Sequence, residues 1–157
     1  MPRTLRTVFA SILLLLSGCV SPVPPGEALT GPLPPQQAGS ARFVFYRPLN
    51  YYDTMAMPTV TLNEATTGIS QNGAAFYRDV APGLYNIALT PTDPYPHQFK
   101  TVTVRPGDVY YVRIDTLSKV PCNLFPTARC SEDTFIMTLI DPPVGMQESQ
   151  GLHLISG

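Results

Sequence analysis

Asn72-Gly73, Pro82-Gly83 and Pro106-Gly107 cut this chain into short runs, and no run between them is built for a helix. Glycine admits positive φ, and proline lacks an amide donor and holds φ at about −65°, so such pairs end regular structure. The runs are rich in β-branched and aromatic residues. None before the C-terminal tail sustains an apolar period of about 3.6 residues, the helical signature. The chain is therefore confined to short strands joined by tight turns.

Ala41 to Arg47 is a β-branched and aromatic run apolar on both faces, halted by Pro48, which places it as a central strand. Pro58 to Asn63 alternates, with Val60 and Leu62 on one face. A turn over Glu64 to Gly68 then leads to a short segment near Ile69, and Asn72-Gly73 is a strong hairpin signal. Ala74 to Val80 resumes extended structure. After Pro82-Gly83, Tyr85, Ile87 and Leu89 share a face, so the Tyr85 ring is expected in the core. Val102 and Val104 point inward from the next run, Phe99 to Val104. Asp108 to Asp115 and Thr134 to Ile140 complete the pattern, and Pro142-Pro143 stops it. Strands with turn signals at roughly 8–12-residue spacing predict an all-β fold, an antiparallel seven- to eight-stranded β-sandwich over residues 41–141. A closed barrel is the second choice. The tail, 142–157, is either loose or one short docked helix.

The N-terminus is organised differently. Arg3 and Arg6 precede an apolar run from Val8 to Leu16, the layout of a secretory signal. That run falls short of the roughly 20 apolar residues needed to cross a bilayer. Leu16-Ser17-Gly18-Cys19 resembles the lipobox of bacterial lipoproteins. The resemblance implies that residues 1–18 are removed as a signal peptide and that Cys19 carries a diacylglycerol and an N-acyl chain. Each buried methylene contributes about 0.8 kcal/mol, so two or three chains make attachment permanent. Such lipoproteins are retained in the inner membrane by an Asp after the cysteine. Val20 stands there, which implies the outer membrane, facing the periplasm. The competing reading is a soluble secreted protein with a buried cysteine near the cut. Residues 20–40 hold six prolines and three glycines without apolar periodicity. With Cys19 they are expected to form a solvated tether, rising about 3.1 Å per residue where extended; a proline-rich recognition ligand is the alternative.

Removing residues 1–18 takes Arg3 and Arg6 from the ten basic residues and none of the eleven acids, leaving a net charge of −3. Basic residues stand singly, at Arg42, Arg47, Arg78 and Arg105, so nothing resembles a phosphate-binding stripe and nucleic acid is excluded as a partner. About 115 residues beyond the tether suffice for one core, not two. With Cys19 acylated and the chain exported, Cys122 and Cys130 remain as an even pair in an oxidising space. They are read as a disulfide closing a short loop, worth about 2–3 kcal/mol. Two free buried thiols or a metal site are the alternatives. Metal fits poorly, because a zinc site wants four ligands and no histidine is near in sequence.

Two stretches carry a family likeness: Phe76 to Ile87, with Val80-Ala81-Pro82-Gly83-Leu84-Tyr85-Asn86-Ile87, and Val104 to Arg113, with Gly107-Asp108-Val109-Tyr110-Tyr111-Val112-Arg113. Together with the opening Ala41 to Pro48, they resemble a domain-of-unknown-function family of bacterial envelope lipoproteins. Its domains are similar to prealbumin-like sandwiches, including carboxypeptidase-regulatory-like and PEGA-like modules. The family's Asn-Gly hairpin appears here as Asn63-Glu64, with Glu64 in place of glycine. The resemblance implies no catalytic residues.

The residues themselves offer little chemistry. His97 lies four residues after Asp93 in a proline-rich loop without a nucleophile elbow, so it is read as an exposed loop residue. No phosphate cradle and no cofactor motif is present. Tyr51, Tyr52 and Tyr95 are the candidates for an aromatic binding surface. In Tyr110-Tyr111 one ring is expected inward and its neighbour on the outer face. The expected function is that of a non-enzymatic outer-membrane lipoprotein whose β-sandwich binds an envelope protein or a cell-wall component. A lipidated assembly subunit of a secretion or conjugation machine is the alternative, and a periplasmic hydrolase using His97 the remote one.

Overall fold

In chain order the elements are β1 (Ala41–Arg47), β2 (Thr59–Leu62), β3 (Ala65–Ile69), β4 (Ala74–Val80), β5 (Gly83–Thr90), β6 (Phe99–Val104), β7 (Val109–Leu117), β8 (Thr134–Ile140), α1 (Pro142–Ser149) and β9 (His153–Leu154). The computed structural model describes residues 32–51, 56–90, 98–117 and 134–155. β1, apolar on both faces, is buried along its whole length at the centre of a five-stranded sheet, β8-β7-β1-β4-β9. A four-stranded sheet, β3-β2-β5-β6, packs against it to make an all-β sandwich.

The core lies between the sheets. Alternation along β1 sends Phe43 and Phe45 inward to meet Val60 and Leu62 of β2, Ile87 and Leu89 of β5, and Val112 and Ile114 of β7. The Phe45 and Phe76 rings stack at 5.0 Å, and Phe43 meets Tyr110 at 5.4 Å. Each such pair adds about 0.5–1.5 kcal/mol beyond its buried area. Tyr85 does share the face of Ile87 and Leu89, but at the sheet's end its ring is half-buried. It meets Phe43 edge-on at 5.8 Å, and its hydroxyl donates to the Ala81 carbonyl at 2.9 Å.

Three local expectations are corrected. The turn expected over Glu64 to Gly68 is the two-residue turn Asn63-Glu64, with φ of 48° and 69°, and Ala65–Ile69 is strand. Two consecutive left-handed residues make a primed turn whose twist suits a hairpin, so the chain reverses at once. Asn72-Gly73 does not close a hairpin: β3 and β4 belong to opposite sheets, and the turn carries the chain between them. Its signal specifies a tight reversal, not the sheet in which the next strand pairs. Finally, the larger sheet is mixed rather than wholly antiparallel. β1 runs parallel to β7 and β4 parallel to β9. Parallel neighbours need a long crossover, and the chain between β1 and β7 builds the whole of the second sheet.

Pro142 and Pro143 both end β8 and begin α1, where missing amide donors cost nothing in the first turn. The helix rests on β7 through Gly145. A Cβ there would stand 2.4 Å from the Tyr111 side chain, so only glycine permits this approach. Beyond the helix, Leu152 joins Val44, Tyr46, Ala75 and Tyr111 in a second apolar cluster on the outer face of the five-stranded sheet.

Candidate functional site

The proline-rich stretch was expected to be solvated as far as Ser40, yet its last residues are fastened to the outer face of the five-stranded sheet. Leu33 packs against the Val44, Tyr46 and Tyr111 cluster. Arg42, pointing outward from β1, is 4% exposed. It donates to the Pro34 carbonyl at 2.5 Å and the Pro35 carbonyl at 3.2 Å. The guanidinium also lies 4.3 Å over the Tyr77 ring and forms a two-pronged ion pair with Asp79 of β4. Asp79 in turn accepts from the Gln37 amide at 3.0 Å. Hydrogen bonding from Arg42 holds the Asp79 carboxyl below its ordinary range, and the same bond raises Arg42 against the opposing effect of burial. A buried guanidinium with its donors satisfied by a carboxylate and two carbonyls fixes the chain's entry geometry.

A second polar network secures α1 on the same face. The Tyr46 hydroxyl donates to Glu148 at 2.7 Å, and Arg113 reaches Glu148 at 3.3 Å and Asp115 at 2.9 Å. Burial, and then the bond to Glu148, pushes the Tyr46 phenol well above its ordinary value.

The outer face of the four-stranded sheet is built otherwise. Where Val60, Leu62, Ile87 and Leu89 point to the core, their neighbours Thr61, Asn86 and Ala88 point out. Thr61 pairs with Ala88, and Ala88 with Phe99 of β6. The Ala88 methyl thus forms a low floor between Thr61 and the Phe99 ring, which is 62% exposed. The resulting groove, about 470 Å³, is closed at one end by the Asn63-Glu64 turn and by Asn86. The Asn63 side chain is committed, its Oδ1 accepting from the Asn86 backbone N–H at 2.8 Å and its Nδ2 donating to the Leu84 carbonyl at 3.3 Å. The Asn86 side-chain oxygen accepts from Thr101 at 2.9 Å. A smaller hollow, about 370 Å³, lies between the edge strand β3 and strand β4 beside Thr66, Arg78 and Ile155.

Of the sequence candidates, Tyr51 is 88% exposed in the loop after β1. Its neighbour Asn50 holds that loop to the Asn72-Gly73 turn through paired bonds with Asn72 at 2.9 and 2.8 Å. Tyr52 and Tyr95 lie outside the described residues, as do Cys19, Cys122, Cys130, Asp93 and His97. Tyr110 packs toward the inner core and Tyr111 into the outer cluster. Sequence reasoning missed Arg42, Arg47, Glu64, Asp79 and Phe99. Arg47, 1% exposed, donates to the Ala56 carbonyl at 2.8 Å and to Thr116 at 3.0 Å. The one legible signal was Glu64 at a position where the hairpin prefers glycine. Among the described residues no three His, Cys, Asp or Glu side chains converge as metal ligands would.

No curated protein and no solved structure matches the chain. A family model does, over residues 37–125, more than half of the sequence and running from the Gln37 anchor through β1 to β7. The chain belongs to the family described as Protein of unknown function (DUF2846).

Proposed function

We propose that this chain is a non-enzymatic lipoprotein of the bacterial outer membrane, held by acylated Cys19 on the periplasmic side, whose sandwich binds another envelope component. One observation carries the reading: the segment leading from the N-terminus docks on the outer face of one sheet, while the groove opens on the outer face of the other. A chain anchored at Cys19 then presents its groove away from its attachment. Tethering raises the effective concentration of the groove for a target near the same membrane. The likeness to envelope lipoproteins and to prealbumin-like modules supports the same reading.

The test is photocrosslinking in intact cells, with a photoreactive residue at Thr61 in the groove or at Val144 on α1. The reading expects adducts with envelope material from Thr61 and far fewer from Val144. Equal adducts from both positions, or none from Thr61, would contradict it.

A further inference from the structure

We infer that the groove on the four-stranded sheet is a saccharide-binding site, with the Phe99 ring as its stacking platform and Glu64 and Asn86 as its polar contacts. This rests on the envelope-module reading and names the class of component that the module takes.

The groove's place in the sheet narrows the ligand first. It lies on the outer face of β2, β5 and β6 and is lined by side chains, so a ligand seated in it meets side-chain groups rather than the unpaired backbone along the outer edge of β6. Its volume of about 470 Å³ suits a small ligand or a segment of a chain of rings. Glu64 is the one charge among its lining residues, so phosphate-bearing partners meet repulsion rather than a counter-charge.

What remains is a neutral ligand with an apolar face and hydroxyl edges. The face of an aromatic ring is negative and attracts polarised C–H groups, which one side of a pyranose supplies. Phe99 offers such a face with 62% of the residue exposed. Across the low Ala88 floor stands the Thr61 hydroxyl, which donates to the Ala88 carbonyl at 3.5 Å and keeps lone pairs to accept, and further along β5 stands the side-chain nitrogen of Asn86, whose oxygen is taken by Thr101. The Glu64 carboxylate has no protein partner among the described residues and accepts from hydroxyl or acetamido donors.

Backbone strain gives an independent reason to single out Glu64. Its φ of 69° lies in the left-handed region, where a residue with a Cβ is held at a cost and strain gathers at functional sites. Glycine would relieve the turn. Glutamate keeps the strain and sets a carboxylate at the groove's rim.

The experiment is calorimetric titration of the full-length protein, purified with its lipid in detergent, against two probes: the β-1,4-linked tetramer of N-acetylglucosamine and the corresponding tetramer of glucose. Binding is expected for at least one, with a dissociation constant below about 1 mM. Phe99→Ala and Glu64→Gln should each weaken it at least about tenfold, or ~1.4 kcal/mol, with melting unchanged because both side chains are exposed. Glu64→Gly should raise the melting temperature while weakening binding, an opposition that a purely structural turn residue would not produce. Failure of both tetramers to bind, or binding indifferent to Phe99→Ala, overturns the assignment. Because soluble sugars and purified protein are used, that failure leaves the membrane anchor and its own test untouched.

Discussion

Arg42 and Asp79 stand directly opposite each other across the β1–β4 ladder, and their ion pair also grips the segment that enters the domain, through Pro34, Pro35 and Gln37. Their side chains are only 5% and 17% exposed, so neither charge is well hydrated alone. Removing one partner of a buried pair leaves the other uncompensated and costs about 3–5 kcal/mol. Asp79→Ala should therefore shift the urea midpoint strongly downward. Limited proteolysis should also find new cuts between residues 32 and 40.

The same pair sets an acid dependence. The folded Asp79 carboxyl titrates below its ordinary value of about 3.9. Its contribution is thus fully present above that value and is lost as pH falls through the lower folded value. Urea midpoints of the native protein and of Asp79→Asn should differ at neutral pH and converge on acidification below about pH 4. A constant difference across that window would dissociate the pair from the acid response.

At the Asn63-Glu64 turn, Glu64→Gly should stabilise the protein by about 1 kcal/mol, since a left-handed residue bearing a Cβ costs about 1–2 kcal/mol. Part of that gain is offset by the greater freedom of glycine in the unfolded chain. Thermal melting checks the sign directly, and Glu64→Ala should show no comparable gain because alanine retains the Cβ.

Gly145→Ala should loosen α1 without unfolding the sandwich. The added methyl meets the Tyr111 side chain at 2.4 Å, and overpacking of this kind costs about 1–3 kcal/mol. Hydrogen exchange should speed up across Pro142–Ser149 and at Leu152, while the β1 amides remain protected. Uniformly faster exchange would mean that the helix and sandwich unfold as one unit.

The fold was legible because its cues are local. A strand apolar on both faces must be central, as β1 is, and period-two alternation correctly assigned Val60, Leu62, Ile87, Leu89, Val102 and Val104 to the core. What local pattern does not encode is which sheet a strand joins after a turn. Asn72-Gly73 reads alike whether it closes a hairpin or crosses the sandwich, and the parallel β1–β7 pairing joins residues far apart in sequence. The groove was less legible still. Phe99 reads as an ordinary strand residue, and only the register that brings Ala88 between it and Thr61 makes a hollow. Arg42 and Arg47 stand singly in the sequence, because their partners at Asp79, Pro34, Ala56 and Thr116 come from elsewhere in the chain.

The proposed function requires that Cys19 hold the binding module to a membrane. Metabolic labelling with a palmitate analogue, comparing the native chain with Cys19→Ser, tests it most directly. Label is expected on the native protein and none on the variant, with release of the variant from membranes or its accumulation as precursor. Equal labelling of the two, or a native protein that carries no label, would contradict it.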